Sequence, residues 1–303
     1  METLDRKRKA LASVGLLGAA MIWGFSFVIV KNSLNMVPKI YMLAFRFTIA
    51  TIVLAAIFWK KLKGLNKKLF REGFILAILL FASYVLQTEG CKYTTAGKNA
   101  FLTTVYIVIV PFLYWLISQK RPDGYSFLAA FVALIGIGLL SLQGDLSINI
   151  GDVLTLLCGI TFSGHLIGIS SFTKESDPIL LTILQMFFTA IFSWIGTIFF
   201  GGEIGAINIS SELISSMLYL GVMSSAVGFL LQTVSQKHII PSTAALLIAT
   251  ESIFGLIFST IFLGERMAKR MIVGCIVILM AIVIAETKLA FLRQNKKEME
   301  VDV

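Results

Sequence analysis

Apolar runs of about twenty residues, separated by short polar intervals, set the pattern of this 303-residue chain. The runs fall near 11–30, 40–59, 72–90, 95–117, 125–142, 152–172, 178–200, 212–235, 241–263 and 269–287. Wound as helices that rise about 1.5 Å per residue, such runs cross a hydrocarbon layer about 30 Å thick. The pattern predicts an all-α integral membrane protein with ten transmembrane helices. Apart from Lys60–Arg71 and Gly201–Ser211 the polar intervals are only a few residues long, which leaves no place for a soluble domain. Arg6, Lys7, Arg8 and Lys9 ahead of the first run imitate a signal peptide, but the run is long and no small-x-small cleavage pattern follows, so it is read as the first span.

Composition agrees: 57% of residues are hydrophobic and 14% charged, against roughly 45–50% and 25% in soluble proteins. A net charge of +9 would suit a nucleic-acid partner. The basic residues, however, sit in tails and short intervals, where they report topology, and no nucleic acid is expected. With a cytoplasmic N-terminus, eighteen Lys and Arg fall inside and seven outside, which predicts both termini cytoplasmic in a cell membrane, inner or plasma. The Arg266, Lys269, Arg270 cluster runs against that bias. Cys91, Cys158 and Cys275 lie in or beside apolar runs without CxxC spacing and read as small packing residues. His165 and His238 form no HExxH, so neither a metal nor another cofactor is expected.

The chain also repeats itself. A shift of 145 lays Leu86-Gln87-Thr88 on Leu231-Gln232-Thr233 and Ala100 on Ala245; a shift of 139 nearer the start lays Trp23 on Phe162, Ser26 on His165 and Arg46 on Gln185. The halves are about 11–142 and 152–287. Five spans, an odd number, make the second half cross in the opposite sense, and two inverted repeats are a recurrent plan of secondary transporters, with the solute site near the midplane. Between the halves, Gln143–Gly151 reads as a passive, solvated join.

Trp23-Gly24-Phe25-Ser26-Phe27, Phe45-Arg46-Phe47, Tyr84-Val85-Leu86-Gln87-Thr88 with Lys92-Tyr93-Thr94, and Glu251 with Leu263-Gly264-Glu265-Arg266 occur in an order that resembles the drug/metabolite transporter superfamily, EamA-type, over nearly the whole chain. The resemblance implies two inverted five-helix halves and, most often, export of amino acids or other small metabolites. One departure is Ser252, which follows the ninth-span Glu where relatives carry Pro, while the first half keeps Pro111. The local kink of relatives is accordingly expected to be missing from one half.

Candidate site residues follow from charge and helical spacing. Glu251 lies near the middle of its span, where a charge costs at least about 2.5 kcal/mol, so it must be protonated, paired or turned to a polar cavity. It either handles a solute or proton, or ties helices together. Trp23 and Ser26 share a stripe, as do Phe162 and His165, Tyr84 and Gln87, and Ser225, Phe229 and Gln232. Tyr106 is the repeat counterpart of Glu251. Facing one another, these stripes would bind a small-molecule solute through Trp23, Ser26, Tyr84, Gln87, Tyr106, His165, Phe229, Gln232 and Glu251. The bland reading is aromatic packing for Trp23 and Tyr84 and interhelical hydrogen bonds for Gln87 and Gln232. Glu251 and His165 are the proton-exchangeable groups placed deep in spans and so the candidates for coupling. Arg46, always charged, must pair, snorkel or meet a carbonyl, and a structural role is favoured. Gly164 with Gly168, and Gly255 with Ser259, have the small-xxx-small spacing of helix contacts.

Proton-coupled export by alternating access is the leading reading, with an importer of a small cationic metabolite as a variant; homodimerisation in the lipid bilayer is compatible with either. An intramembrane enzyme is disfavoured because Ser163 and His165 point to different sides of a helix. A channel or scaffold would show a ring of repeated polar residues or a soluble module, and neither is visible.

Overall fold

A computed structural model describes residues 2–118, 124–141, 149–200, 209–239, 241–266 and 268–287. The described residues are helical, with thirteen α-helices: α1 Glu2–Ser33, α2 Lys39–Ile57, α3 Lys67–Tyr93, α4 Ala96–Thr103, α5 Tyr106–Ser118, α6 Gly124–Ser141, α7 Ile150–Phe172, α8 Pro178–Phe200, α9 Ser211–Leu218, α10 Gly228–Gln236, α11 Pro241–Ala249, α12 Glu251–Leu263 and α13 Lys269–Thr287. A π-helical stretch, Tyr219–Val227, joins α9 to α10 in one rod, and α4–α5 and α11–α12 are likewise single, interrupted rods. Ten rods result. Eight are long and apolar enough by themselves to cross a membrane, and α6 and α13 complete the set. The fold is all-α and membrane-spanning, with ten transmembrane helices in two inverted halves of five. The Gln143–Gly151 join lies largely outside the described residues, as does most of Gly201–Ser211.

The halves repeat in their helix bounds. Ala96–Thr103 and Tyr106–Ser118 recur as Pro241–Ala249 and Glu251–Leu263, and Gly124–Ser141 as Lys269–Thr287, all close to the 145-residue interval that separates Tyr106 from Glu251. Both rods break at the same place, Thr104–Val105 in one and Thr250 in the other. The expectation of a kink missing from one half is therefore corrected. Pro111 sits inside α5, yet the interruption lies upstream of it, and α11–α12 breaks with no proline at all. At the breaks hydroxyls bond back into the preceding turn: Thr104 Oγ1 donates to the Phe101 carbonyl at 2.7 Å, Thr250 Oγ1 to Leu247 at 2.7 Å and Ser252 Oγ to Ala249 at 2.8 Å. A Ser or Thr that bonds back to its own helix competes with the regular ladder and bends it.

Small residues let backbones meet where the rods cross. A Cβ on Gly255 would lie 2.6 Å from that of Ala100, and one on Gly97 2.7 Å from Ser259 Oγ, so α12 lies directly on α4. Gly24 brings α1 equally close to α12. The Gly164 position is looser, 3.5 Å from Leu79, whereas Gly168 meets Leu76 at 2.9 Å. The three cysteines are free and buried, as packing residues should be.

Polar clusters mark the ends of the bundle. At one end, Lys98 Nζ meets the fully buried Asp152 at 2.6 Å, Thr94 donates to the same carboxylate at 3.1 Å, and Lys31 donates to the carbonyls of Cys91 and Thr94, each at 2.6 Å. The Glu265 carboxylate accepts from the Ala96 and Gly97 amides at 2.8 and 3.0 Å, the N-terminus of α4, where a negative charge is favoured. At the other end Lys61 pairs with Asp177, Lys68 with Glu175, and Ser176 donates to Glu72.

Candidate solute site

The two interrupted rods cross at the heart of the bundle, and the first residues after their breaks are Tyr106 and Glu251. Tyr106 Oη donates to Glu251 Oε1 at 3.3 Å, with both side chains buried. Two further repeat-related pairs also touch: the Tyr84 and Phe229 rings lie 5.9 Å apart, and those of Trp23 and Phe162 lie 6.4 Å apart edge to face. Equivalent residues can meet only near the axis that relates the halves. These three contacts therefore trace the pseudo-two-fold axis through the centre of the protein.

A cavity of about 30 Å³ opens on this axis. Its lining includes Trp23, Ser26, Tyr84, Gln87 and Glu251, all singled out by the sequence, together with Arg46, Ser83, Asn99, Thr103, Cys158 and Phe162. Such a volume admits about one or two waters, less than a metabolite needs. It extends toward the end of the bundle where α1 and α3 finish, past Val30 and Cys91. There Asn99 Nδ2 donates to Thr155 Oγ1 at 2.8 Å, next to the Lys98–Asp152 pair. Gly90 and Gly151 also bring α3 against α7: a Cβ at Gly151 would lie 2.7 Å from the Gly90 carbonyl. At the opposite end a wider groove of about 710 Å³ runs past Gly15, Ile179, Leu231 and Ser235.

The remaining sequence-predicted residues stand behind the lining. His165 is fully buried, bonds Gln185 through Nε2 at 2.8 Å, and stacks on Phe162 with ring centroids 5.4 Å apart. Phe229 packs on Trp23 at 5.0 Å. Gln232 is fully buried with neither amide atom hydrogen-bonded. Gln87 Nε2 donates to Thr103 Oγ1 at 3.4 Å. The structure thus brings Trp23, Ser26, Tyr84, Gln87 and Glu251 to one cavity and Tyr106 onto Glu251, while His165, Phe229 and Gln232 occupy the related positions on the packed side.

Sequence reasoning underrated Arg46 and missed Ser224, Asn99 and Thr103. Arg46 is 1% exposed; its Nε donates to Ser225 Oγ at 3.0 Å, its Nη2 to Ser224 Oγ at 2.8 Å, and its guanidinium lies 4.6 Å from the Tyr84 ring centre. The π-helical stretch makes this arrangement, because a π turn frees backbone carbonyls and re-aims side chains. Trp23 Nε1 takes up the Ser224 carbonyl at 2.8 Å, and Ser26 Oγ meets Ser224 Oγ at 3.0 Å. Gly228 makes room for the indole, since a Cβ there would stand 2.6 Å from Trp23 Nε1. A run of small polar residues, Ser224-Ser225 with Gly221 and Gly228, was the available signal.

Two inverted five-helix halves, broken helices that meet at a buried carboxyl, and a small polar cavity on the axis between them define a secondary-transporter type of membrane protein. The chain belongs to the EamA-like transporter family, whose pattern matches residues 10–142 and again 149–287. An "Uncharacterized transporter" of Archaeoglobus fulgidus is 30% identical over 281 residues, 93% of this chain and 87% of the relative. The "Uncharacterized transporter YvbV" of Bacillus subtilis is 23% identical over 295 residues, 95% of this chain and 94% of the relative. A crystal structure superposes with a TM-score of 0.68 at 15% identity, covering 91% of this chain and 97% of that one, a likeness of fold alone. The protein is therefore a multi-pass membrane transporter of the EamA type that acts on a small-molecule solute.

Proposed function

We propose that this transporter exports amino acids or other small metabolites across the cell membrane by alternating access, with proton exchange at Glu251 as the coupling step and both termini in the cytoplasm. The observation that carries the reading is the place of Glu251: buried, first after a helix break, lining the axial cavity and bonded to its own repeat counterpart Tyr106. A carboxyl at that depth meets the cavity's contents as well as the protein, so a proton or a cationic group of the solute can change its state as access changes.

Alternation is supported by the unequal condition of related positions. Trp23, Ser26, Arg46, Tyr84 and Gln87 line the cavity. Of their counterparts, His165, Gln185, Phe229 and Gln232 are packed shut and fully buried. Among these, His165 Nδ1 and both Gln232 amide atoms lack hydrogen-bond partners, an unfavourable condition for buried polar groups. Exchange of the two halves' conformations would bring His165 and Gln232 to a cavity on the other side, where solute or water satisfies them. In that second state His165 contacts the solute or relays the proton.

The test is solute counterflow in proteoliposomes with a panel of amino acids and small metabolites. Saturable exchange of at least one solute is expected, accelerated by an imposed pH gradient. Unsaturable ion current with no exchange would mark a channel and contradict the proposal.

A further inference from the structure

Arg46 is a cation in the middle of the protein with no anion beside it. Among the described residues no carboxylate lies within ion-pairing distance of it; its neighbours are the hydroxyls of Ser224 and Ser225, the face of Tyr84 and the Phe47 ring, 5.4 Å from the guanidinium. A guanidinium keeps its charge at any ordinary pH, and a charge held away from water is costly unless something compensates it. The inverted repeat shows that helix packing alone does not demand that charge. The counterpart, Gln185, bridges its neighbours as a neutral amide, through His165 and through Thr233 Oγ1 at 3.3 Å. One half therefore builds its junction without a charge, and the half that carries the charge is the one that lines the cavity.

We propose that Arg46, with the Ser224 hydroxyl bonded to it, forms a subsite for an anionic group of the solute, a carboxylate or a phosphate, in the axial cavity. This deepens the transporter reading and rests on it. Hydrogen bonds to Ser224 and Ser225 use two of the five guanidinium N–H groups, hold its plane and leave donors for two oxygens of an anion. Ser26 Oγ donates to the Ile22 and Trp23 carbonyls at 3.1 and 2.9 Å, so Ser224 is the donor in the bond the two hydroxyls share, and a solute oxygen would take the place of Ser26 as its acceptor. Ser225 holds the guanidinium through Nε. Glu251 lines the same cavity without pairing to Arg46, so the subsite selects solutes that bring their own negative charge.

Thermal stabilisation of the purified full-length protein tests the subsite. The probes are the L-amino acids, their α-amides, the corresponding amines, and glycerol 3-phosphate beside glycerol. Stabilisation by acids or by glycerol 3-phosphate, with none from the matched amides, amines or glycerol, is expected, and the class that stabilises tells carboxylate from phosphate. Arg46→Gln should weaken the effective probe at least tenfold, and Arg46→Lys should keep part of the affinity because a point charge survives without the planar fork. If Arg46→Gln does not fold, Ser225→Ala, which only misdirects the guanidinium, should weaken anionic probes several-fold and spare any neutral one. Equal stabilisation by acids and amides, unchanged affinity in Arg46→Gln or Ser225→Ala, or stabilisation by no probe overturns the subsite. Counterflow of a stabilising probe separates the two readings: binding without flux would defeat the transporter reading and leave the subsite standing, and flux of neutral solutes untouched by the Arg46 variants would do the reverse.

Discussion

Gly24 is the position at which α1 rests against the backbone that carries Glu251. A Cβ added there would lie 2.9 Å from the Gly255 nitrogen, 3.1 Å from the Glu251 carbonyl oxygen and closer still to Phe254 Cβ. Two of those three atoms are backbone and cannot rotate away, so α1 and α12 must part by a few tenths of an ångström. Overpacking of this kind costs about 1–3 kcal/mol. Ala in place of Gly returns up to about 1 kcal/mol of helix propensity, a gain that Gly18→Ala shares, so Gly24→Ala should be less stable than Gly18→Ala by about 1–3 kcal/mol. Gly18, two turns earlier on α1, supplies the control, because a Cβ there approaches nothing nearer than Leu231 Cδ1 at 3.8 Å. Gly18→Ala should be neutral or slightly more stable. Reversible unfolding of the purified protein in mixed detergent micelles measures both. Since the displaced carbonyl belongs to Glu251, Gly24→Ala should also weaken solute binding, whereas Gly18→Ala should not. Equal stability of the two variants would refute the close approach of α1 and α12.

Other expected outcomes concern the two ends of the bundle. Lys98→Met removes the cation facing the fully buried Asp152 and should cost about 3–5 kcal/mol, while Lys98→Met with Asp152→Leu should cost less, as measured by the same unfolding assay. Glu265→Gln weakens the two hydrogen bonds to the N-terminus of α4 and should lower stability by about 1–2 kcal/mol; no change would mean that the contact at Ala96 and Gly97 is incidental. Glu175, bonded to Lys68, is held below its usual value of 4.5 by that ammonium group. A carboxylate with a lowered folded value stabilises above its unfolded value and loses that contribution as pH falls through the folded one. Glu175→Gln should therefore show a small fall in thermal midpoint at pH 7 that vanishes at pH 3, and a gap that persists in acid would rule out the ion pair as its cause.

The ten spans were legible because length and apolarity set a membrane helix almost alone. Gln87 over Gln232 and Tyr106 over Glu251 likewise disclosed the repeat, since inverted halves keep their register. The helix breaks were not legible. Thr104 and Thr250 look like any hydroxyl in a membrane span, and their bonds to Phe101 and Leu247 at the breaks are of the same kind as that of Ser163 to Gly159 inside an unbroken helix, so sequence spacing does not single them out. Of the candidate residues, Trp23, Ser26, Tyr84 and Gln87 of the first half line the cavity while Tyr106 stands behind Glu251, and of the second half Glu251 alone lines it. Symmetry in sequence makes Ser26 and His165 equivalent, but a conformation that favours one side makes them unequal. A charge in a span must be satisfied, which favours a structural role for Arg46 from sequence alone; which groups satisfy it depends on the π-helical stretch, whose extra residue leaves no periodic trace in the sequence.

Coupling at Glu251 is the central claim, and a paired flux measurement tests it most directly. In proteoliposomes holding wild-type protein or Glu251→Gln, counterflow at equal pH reports solute exchange, and accumulation under an imposed pH gradient reports proton coupling. Gln keeps the shape and the bond from Tyr106 while removing the exchangeable proton. The account predicts that Glu251→Gln remains folded and loses pH-driven accumulation, whatever exchange persists. Accumulation at the native rate with the native pH profile would contradict it and leave Glu251 as a helix tie.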